Sequence, residues 1–404
     1  MIKLKDFTRR EVLSILSISD RTLQSWEKKG KLACNKDGNF LAKDLLNIAP
    51  LNPVLNSNWD EFISIKSKSD YTSLELFAGG GGMAIGLEKA GFNNILLNEF
   101  DKASCNTLRY NRPNWNVVEG DVSNLDFSPY VDKVDLLAGG FPCQAFSSAG
   151  KQQGFEDTRG TLFFEFARAI KEVQPKVFVG ENVKGLLSHN KGATLNTIKN
   201  VLTDLGYTLV DPMLLKAVHY KVPQKRERLF LVGIRNDLVS KLTYNAPSAY
   251  VRPLALKDGL MKGILYNKSV PNSKGQLYSD RKYDVLKLVP PGGYWRDLPI
   301  DIQKSYMGKS FYLGGGKTGI ARRMHWDEPS LTLVCSPNQN QTERCHPDEV
   351  RPFTVREYAR IQTFPDEWDL QGSLTAQYKQ IGNAVPVNLA FAVGKSIIHL
   401  LNQL

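Results

Sequence analysis

Apolar and polar positions alternate with a regular rhythm from residue 71 onward. Short apolar runs typical of buried strands are separated by longer amphipathic segments with helical spacing. This alternation predicts an α/β fold with a mostly parallel sheet and helices on both faces. The predicted strands are Thr72–Phe77, Asn94–Asn98, Val134–Ala138, Val177–Val179 and Leu229–Ile234, and the predicted helices are Met83–Ala90, Leu162–Glu172 and Ala193–Leu205.

The first 50 residues follow a different pattern. Thr8 and Ser19 are suitable caps for two short amphipathic helices, and residues 31–40 have the turn residues of a hairpin. Two short helices separated by a tight break, followed by a hairpin, resemble a MerR-type winged helix-turn-helix. A helical cap on the main domain is the alternative interpretation.

The remaining boundaries follow from where the strand–helix rhythm stops and restarts. Residues 51–70 follow Pro50 and contain Asn52-Pro and the polar run Lys66-Ser-Lys-Ser-Asp, so they are predicted to be a linker. The α/β rhythm occupies residues 71–245. Residues 246–345 lack clear periodic elements and are predicted to form a separate small domain, after which residues 346–404 return to the main domain.

Charge is concentrated in two of these segments. The formal net charge is +11; residues 246–325 hold 14 Lys and Arg against 5 Asp and Glu, and residues 1–50 hold 10 against 6. Such a distribution predicts polyanion-binding parts attached to a nearly neutral domain. The candidate DNA contacts in residues 246–325 are Arg322, Arg323 and Lys317. Those in residues 1–50 are Arg21 and Lys28.

The N-terminus has no signal peptide, no apolar run approaches 18 residues, and the five cysteines contain no CxxC pair. We therefore expect a cytoplasmic protein without a membrane span, a disulfide framework or a metal site.

A glycine-rich turn and two acidic residues predict a site for a nucleoside-bearing ligand. Phe77, Gly79 and Gly81 belong to a turn between the first strand and the next helix, where backbone N–H groups are accessible. Glu99 ends the second strand, at the position where a carboxylate can accept from both ribose hydroxyls. Asp121, in Glu119-Gly-Asp-Val, is predicted to end a further strand between these elements and could accept from an adenine amine.

Cys143 follows the strand Val134–Ala138 in a Gly-Gly-Phe-Pro-Cys loop, so it is predicted to lie at a carboxyl end, where α/β sheets bind ligands. Pro142 stiffens the backbone immediately before the thiol. Glu181 follows another apolar strand and is expected at the same edge, where apolar surroundings raise a carboxyl pKa. Arg226 and Arg228 lie two residues apart, which places them on one face of an extended segment.

Taken together, these blocks resemble the cytosine-5 DNA methyltransferase family. The resemblance runs from about Leu74 to the C-terminus, about four fifths of the chain. Its motifs occur in the family's order: Phe77-Ala-Gly-Gly-Gly-Gly, Gly140-Phe-Pro-Cys-Gln, Gly180-Glu-Asn-Val, Gln224-Lys-Arg-Glu-Arg, the segment from Arg351 to Pro365, and Gln380-Ile-Gly-Asn-Ala-Val-Pro.

The resemblance implies a Rossmann-like S-adenosylmethionine-dependent methyltransferase domain with a smaller target-recognition domain. It implies that Cys143 attacks C6 of a flipped cytosine, Glu181 holds the N3 edge and Arg228 contacts O2, with Arg226 as a structural or phosphate contact. The implied cofactor contacts are Phe77, Gly79, Gly81, Glu99, Phe100, Asp121, Pro142, Leu162, Asn383 and Val385. Phe100 and Ala384 depart from the family pattern, which often has tryptophan and serine there.

The resemblance further implies sequence-specific methylation of double-stranded DNA by base flipping, in a restriction–modification system with a companion endonuclease acting on the same site. The N-terminal unit is a candidate regulator of its own promoter. Two alternatives remain: a tRNA cytosine-5 methyltransferase with the same motifs, and a non-catalytic DNA-binding regulator.

Overall fold

The structure is a computed structural model. It describes residues 6–16, 18–48, 52–141, 162–314, 317–339 and 342–404.

The described residues contain ten strands and fifteen α-helices. The strands are β1 Thr72–Leu76, β2 Asn93–Glu99, β3 Val117–Glu119, β4 Leu136–Gly140, β5 Val177–Val183, β6 Tyr207–Leu209, β7 Met213–Lys216, β8 Gln224–Lys225, β9 Glu227–Arg235 and β10 Ser330–Leu331. The helices are α1 Arg9–Leu16, α2 Asp20–Lys28, α3 Ala42–Leu46, α4 Asn52–Leu55, α5 Trp59–Ser64, α6 Gly82–Ala90, α7 Lys102–Asn111, α8 Leu162–Val173, α9 Ala193–Asp204, α10 Leu256–Leu260, α11 Asp280–Lys287, α12 Ile300–Met307, α13 Val355–Ile361, α14 Leu374–Asn383 and α15 Val387–Leu401.

Eight strands form one sheet in the order β3-β2-β1-β4-β5-β9-β6, with β7 also paired to β9. Strands β1 to β5 are mutually parallel, which confirms the predicted α/β architecture. Strand β9 instead runs antiparallel to β5, β6 and β7. The strand order reverses between β1 and β4, because β2 and β3 lie on one side of β1 and β4 and β5 lie on the other. Ligands of such sheets bind in the crevice at the carboxyl ends of the two strands that flank the reversal.

Two layers of helices cover the sheet. Helix α15 packs closely along α6, because Gly86 leaves no room for a side chain: a Cβ there would lie 2.4 Å from the Cβ of Ala390. On the other face, the aromatic rings of Phe163 and Phe166 on α8 pack against Phe141 with centroids 5.3 and 5.5 Å apart. The apolar strand residues are therefore buried from both sides.

The segment 51–70, predicted to be a linker, is instead attached to the main core. It carries α4 and α5, and the side chains of Trp59 and Phe62 are each only 7% exposed in the cluster under α15. The prediction failed because it rested on Pro53 and the polar run at residues 66–70, whereas two aromatic residues at helical spacing determine the burial of the segment.

The N-terminal unit has its own small core. Ser19 caps α2 through the backbone N–H of Thr22, as predicted, and the hairpin is closed by bridges of Phe40 to Cys34 and to Phe7. Phe7 and Phe40 are fully buried. The similarity to a winged helix-turn-helix remains a prediction.

The small domain has a separate core around Leu286, Trp295 and Ile320, and this core includes Cys345 at the end of the predicted range 246–345. Two segments inside that range contact the main domain instead, because helix α10 packs against α13 and β10 pairs in parallel with β8. The outer bounds of the domain remain a prediction.

The apolar stretch Leu374–Leu401 is long enough to cross a membrane by length and composition, although no such run was expected from the sequence. It comprises α14 and α15, and 83% of its most apolar window is buried inside the protein. This burial is typical of a core helix.

Truncating Phe62 should test whether segment 51–70 is part of the core. We expect Phe62→Ala to destabilise the main domain by about 3–5 kcal/mol, since it removes a buried aromatic ring and leaves a cavity. Tyr110, which is 61% exposed, gives the matched control Tyr110→Ala. Chemical denaturation followed by tryptophan fluorescence measures both; equal midpoints for the two variants would contradict the assignment.

Candidate active site

A cleft of about 850 Å³ opens at the carboxyl ends of the parallel strands. It brings together residues from the turn after β1, the ends of β2, β4 and β5, the start of β9 and the end of α14. The predicted site residues in its wall are Phe77, Gly79, Glu99, Phe100, Glu181, Arg226, Arg228, Asn383 and Val385.

The glycine-rich turn has two structural roles. Phe77 and Gly79 have positive φ angles of 59° and 54°, and a Cβ on Gly79 would meet no atom within 4 Å. Gly81, with φ of 90°, is different: its Cβ would lie 2.8 Å from both Leu108 and Trp368. Gly79 therefore keeps the turn open to the cleft, whereas Gly81 allows close packing behind it and does not line the cleft.

Glu99 is held rigidly at the end of β2. Its Oε2 accepts the backbone N–H of Gly79 at 2.7 Å, and its Oε1 accepts those of Phe100 and Asp101 at 2.9 and 2.7 Å. The Phe100 side chain, by contrast, is 75% exposed in the cleft wall. A fixed carboxylate beside an exposed aromatic ring is suited to binding a ribose and a stacked base.

Glu75 lies in the floor of the same cleft and was not singled out from the sequence. It is 2% exposed on β1, and its buried Oε2 has no hydrogen-bond partner. Burial and the nearby charge of Glu99 raise the pKa of Glu75 well above its usual range. A protonated carboxyl group with an unused polar atom is thus available to a ligand in the cleft.

Glu181 and Arg228 form an ion pair across β5 and β9. Arg228 Nε lies 2.7 Å from Glu181 Oε1, and each side chain is 12% exposed. Burial raises the pKa of Glu181, and the positive charges of Arg228 and Arg226 oppose this shift only in part. The carboxyl group therefore has access to its protonated form at higher pH than an exposed glutamate.

The end of β4 lies beside this pair. Gly140 is in register with Glu181, and a Cβ on Gly140 would lie 3.0 Å from Glu181 Oε2. The next residue, Phe141, is tied to β5 because Asn182 Nδ2 donates to its carbonyl oxygen at 2.8 Å. The predicted nucleophile Cys143 and its neighbour Pro142 lie outside the described residues.

Arg226 is buried between the cleft and the C-terminal segments. Its Nη1 donates to the carbonyl of Leu333 at 3.1 Å and its Nη2 to that of Gly382 at 2.8 Å, while Nε has no partner. Burial lowers its pKa to about 9. These bonds connect β8 to the chain after β10 and to the end of α14, which supports the structural role expected for Arg226.

Two predicted cofactor contacts lie away from the cleft wall. Asp121 is exposed after β3, where its Oδ1 accepts the backbone N–H of Ser123 at 2.9 Å. Leu162 begins α8 and is 36% exposed. Neither lines the cleft as formed by the described residues.

Some of the predicted DNA contacts make hydrogen bonds within the protein, and others are exposed. Arg323 is only 9% exposed and donates to the carbonyls of Pro347 and Val289 at 2.8 and 3.1 Å. Lys317 donates to the carbonyls of Leu313 and Ser310. Both cations therefore already donate to carbonyl groups of the chain in this structure, and their role as DNA contacts remains a prediction.

Arg322 lines a second groove, and Arg21 and Lys28 are exposed on α2. Among the described residues, no group of three or more His, Cys, Asp or Glu side chains is placed to hold a metal ion.

The sequence profile of a family described as C-5 cytosine-specific DNA methylase matches residues 71–399. The chain is 62% identical to the type II methyltransferase M.Eco47II of Escherichia coli, covering 99% of this chain and 97% of the relative. It is 58% identical to the type II methyltransferase M.PspPI of Psychrobacter sp. (strain TA137), covering 98% and 96%.

Solved structures share the fold. A protein encoded within an Escherichia coli prophage superimposes with a TM-score of 0.64 at 24% identity, covering 82% of this chain and 100% of the other. Spodoptera frugiperda DNMT2 gives 0.58 at 17% identity, with coverages of 81% and 99%.

Fold, cleft and relatives together define the class: the chain belongs to the C-5 cytosine-specific DNA methylase family. Its activity is that of a DNA (cytosine-5-)-methyltransferase, and S-adenosylmethionine is the methyl donor that this family implies.

Replacing Glu99 should weaken cofactor binding selectively. We expect Glu99→Gln to reduce the affinity for S-adenosylhomocysteine by about 10-fold or more, because a charged acceptor for ribose hydroxyls is lost. The control is Glu119→Gln, which changes the residue in register with Glu99 on β3, where Glu119 pairs with Arg109 outside the cleft. Isothermal titration calorimetry measures both; equal affinities in the two variants would refute the assignment.

Proposed function

We propose that the protein methylates cytosine at C5 within one short sequence of double-stranded DNA, as the modification enzyme of a restriction–modification system. The observation that carries this proposal is the buried Glu181–Arg228 pair beside the end of β4, in the same cleft as Glu99 and Phe100. A base held by the ion pair would thus face a cofactor held at the turn after β1.

The cleft fits S-adenosylmethionine. The anchored carboxylate of Glu99 suits the ribose hydroxyls and the exposed ring of Phe100 suits the adenine, with Phe77, Gly79, Asn383 and Val385 as further wall contacts. The unpartnered Oε2 of Glu75 offers another polar contact in the floor. When bound, S-adenosylmethionine supplies an electrophilic methyl carbon to C5 of the cytosine.

The chain's own residues make C5 nucleophilic. The Cys143 thiolate adds to C6, and the electrons of the C5–C6 double bond move towards C5 and N3. Glu181, in its protonated form, donates to N3, and Arg228 donates to O2, so the negative charge that develops on the ring is stabilised. After methyl transfer, N3 returns its proton to Glu181 and the C5 proton leaves to a base. The electron pair of that C5–H bond re-forms the C5–C6 double bond and expels Cys143 as a thiolate.

The target base must leave the duplex before Cys143 can reach it. Unstacking and unpairing cost about a few kcal/mol, which contacts to the DNA backbone offset. Arg322 is the small-domain cation whose placement suits such a contact.

The relatives at 62% and 58% identity are named type II methyltransferases, which supports a companion endonuclease acting on the same site.

The N-terminal unit adds a regulatory hypothesis, since Arg21 and Lys28 project from α2 on one exposed face. Binding to its own promoter would be abolished by Arg21→Ala with Lys28→Ala; a promoter footprint unchanged in that variant would refute the hypothesis.

The central experiment maps methylation of mixed-sequence duplex DNA by bisulfite sequencing after incubation with S-adenosylmethionine. We expect 5-methylcytosine at one short recurring sequence, and none with Cys143→Ser, which binds the cofactor but has no thiolate. Methylation of tRNA but not of DNA would overturn the proposed substrate. Methylation that survives in Cys143→Ser would overturn the proposed nucleophile.

The pH profile tests the role of Glu181. The protonated form that donates to N3 is present below the raised pKa of Glu181 and is lost as the pH rises through it. We therefore expect kcat/KM of the native enzyme to fall as the pH rises through that pKa. Glu181→Gln should lower kcat by about 10²–10⁴-fold and remove the alkaline limb, since an amide cannot transfer a proton. An alkaline limb that persists in Glu181→Gln would contradict this role.

A further inference from the structure

A second groove, of about 710 Å³, lies where the three parts of the chain meet. The N-terminal unit forms one wall with α1 and the turn before α2. The sheet contributes the ends of β7 and β8, and the small domain contributes the segment around Arg322. Arg226 lines both this groove and the catalytic cleft, so the two are separated by a single guanidinium group.

Three cations converge on the groove without a close acceptor in the protein. Lys216 has no ion pair or hydrogen bond from its ammonium group among the described residues, and Lys225 has only Glu328, at 3.8 Å. Arg322 has no counter-ion within salt-bridge distance in the described chain, and its buried Nε has no hydrogen-bond partner. Burial lowers the pKa of all three groups.

The acidic residues in the same walls do not satisfy these cations. Glu227 pairs with Lys184 at 2.9 Å, and Asp20 pairs with Arg9 at 2.6 Å. Among the described residues, Glu328 lies within 4.0 Å of only one cation, Lys225, at 3.8 Å. Desolvated cations without counter-ions are unfavourable, and an anionic ligand entering the groove would relieve this cost.

The N-terminal wall is fixed to the rest of the protein. Glu11 on α1 pairs with Arg252 at 2.7 Å, and Arg10 pairs with Asp327 at 3.0 Å. The Arg252 guanidinium also lies 4.8 Å from the ring centre of Phe7. His219, which follows β7, is buried, and the turn 217–219 that carries it packs against α1. The unit therefore contributes a defined surface to the groove.

We propose that this groove binds the phosphate backbone of the substrate duplex beside the flipped cytosine, so that the N-terminal unit is part of the methyltransferase's own DNA-binding surface. The inference rests on the proposed DNA substrate. Phosphate is the anion chosen because duplex DNA is a polyanion already required next to Arg226, and because backbone phosphates can contact several cations in succession.

The role of the cations is tested with three variants: Lys216→Gln, Arg322→Gln and the double variant. Each is compared with the native protein. Binding of a duplex carrying the mapped site is measured over a range of salt concentrations. We expect each single variant to reduce the slope of log Kd against log salt by about 1, and the double variant by about 2, with at least a 10-fold loss of affinity near 0.15 M salt.

The matched control is Lys241→Gln. Lys241 is exposed in a 3-10 turn after β9, and the last residue of that strand, Arg235, lies about 23 Å along the strand from Arg228. This control should keep the native slope. Calorimetry with S-adenosylhomocysteine checks that every variant is folded and binds cofactor.

The N-terminal wall is tested by adding a negative charge without losing a helix cap. Ser19 lines the groove and caps α2, and aspartate is an equally good cap. We expect Ser19→Asp to weaken binding of the substrate duplex by about 5-fold or more. Ser373→Asp makes the same change at the cap of α14, outside the groove, and should leave binding unchanged.

The outcomes separate this inference from the proposed function. If native protein methylates DNA but the Lys216, Arg322 and Ser19 variants bind with native affinity and salt slope, the groove inference is wrong and the enzyme assignment stands. A second outcome would also contradict the inference. If the variants bind both the duplex and inorganic phosphate more weakly by the same factor, but keep the native slope of log Kd against log salt, the groove binds a free anion and not the DNA backbone. Absence of DNA methylation by native protein would reject the proposed function itself.

Discussion

The antiparallel direction of β9 is the constraint on which the active site depends. Glu181 lies near the carboxyl end of β5, and only a strand that begins at that same edge can deliver Arg228 to it. In the observed register Val183 faces Arg228, so the guanidinium lies diagonally two positions from Glu181. A parallel β9 would place Arg228 at the opposite edge of the sheet and leave a buried carboxylate without its partner, which is strongly destabilising.

The same arrangement explains why the neighbouring residues are small or amide-bearing. Gly140 leaves room for the Glu181 carboxyl group, and Asn182 holds the Phe141 carbonyl at the point where the chain leaves β4. These contacts fix the backbone at the end of β4 relative to β5, two residues before Cys143 in the sequence. The chemistry therefore depends on backbone pairing as much as on the reactive side chains.

Sequence reasoning succeeded where hydrophobic periodicity alone determines structure. The five predicted strands all occur, because each is an apolar run buried between helices. The parallel pairing of β4 with β5 places Gly140, three residues before Cys143, in register with Glu181. Periodicity reports burial and not the direction of pairing, so it did not reveal that β9 is antiparallel. It likewise did not distinguish cations held by internal carbonyls, such as Arg323, from cations available to DNA.

Glu75 could have been found from the sequence, since a lone acidic residue between leucines in a buried strand is unusual. Its burial beside the anchored carboxylate of Glu99 shows how this protein concentrates unfavourable electrostatics in two places. The cleft holds carboxyl groups with raised pKa, whereas the groove beyond Arg226 holds cations with lowered pKa. The proposed ligands complement each set: a cytosine and a cationic methyl donor in the cleft, and a phosphate backbone in the groove. Because Arg226 lines both cavities and is 1% exposed, we expect its charge to act on the ligands of both sites through surroundings of low polarity.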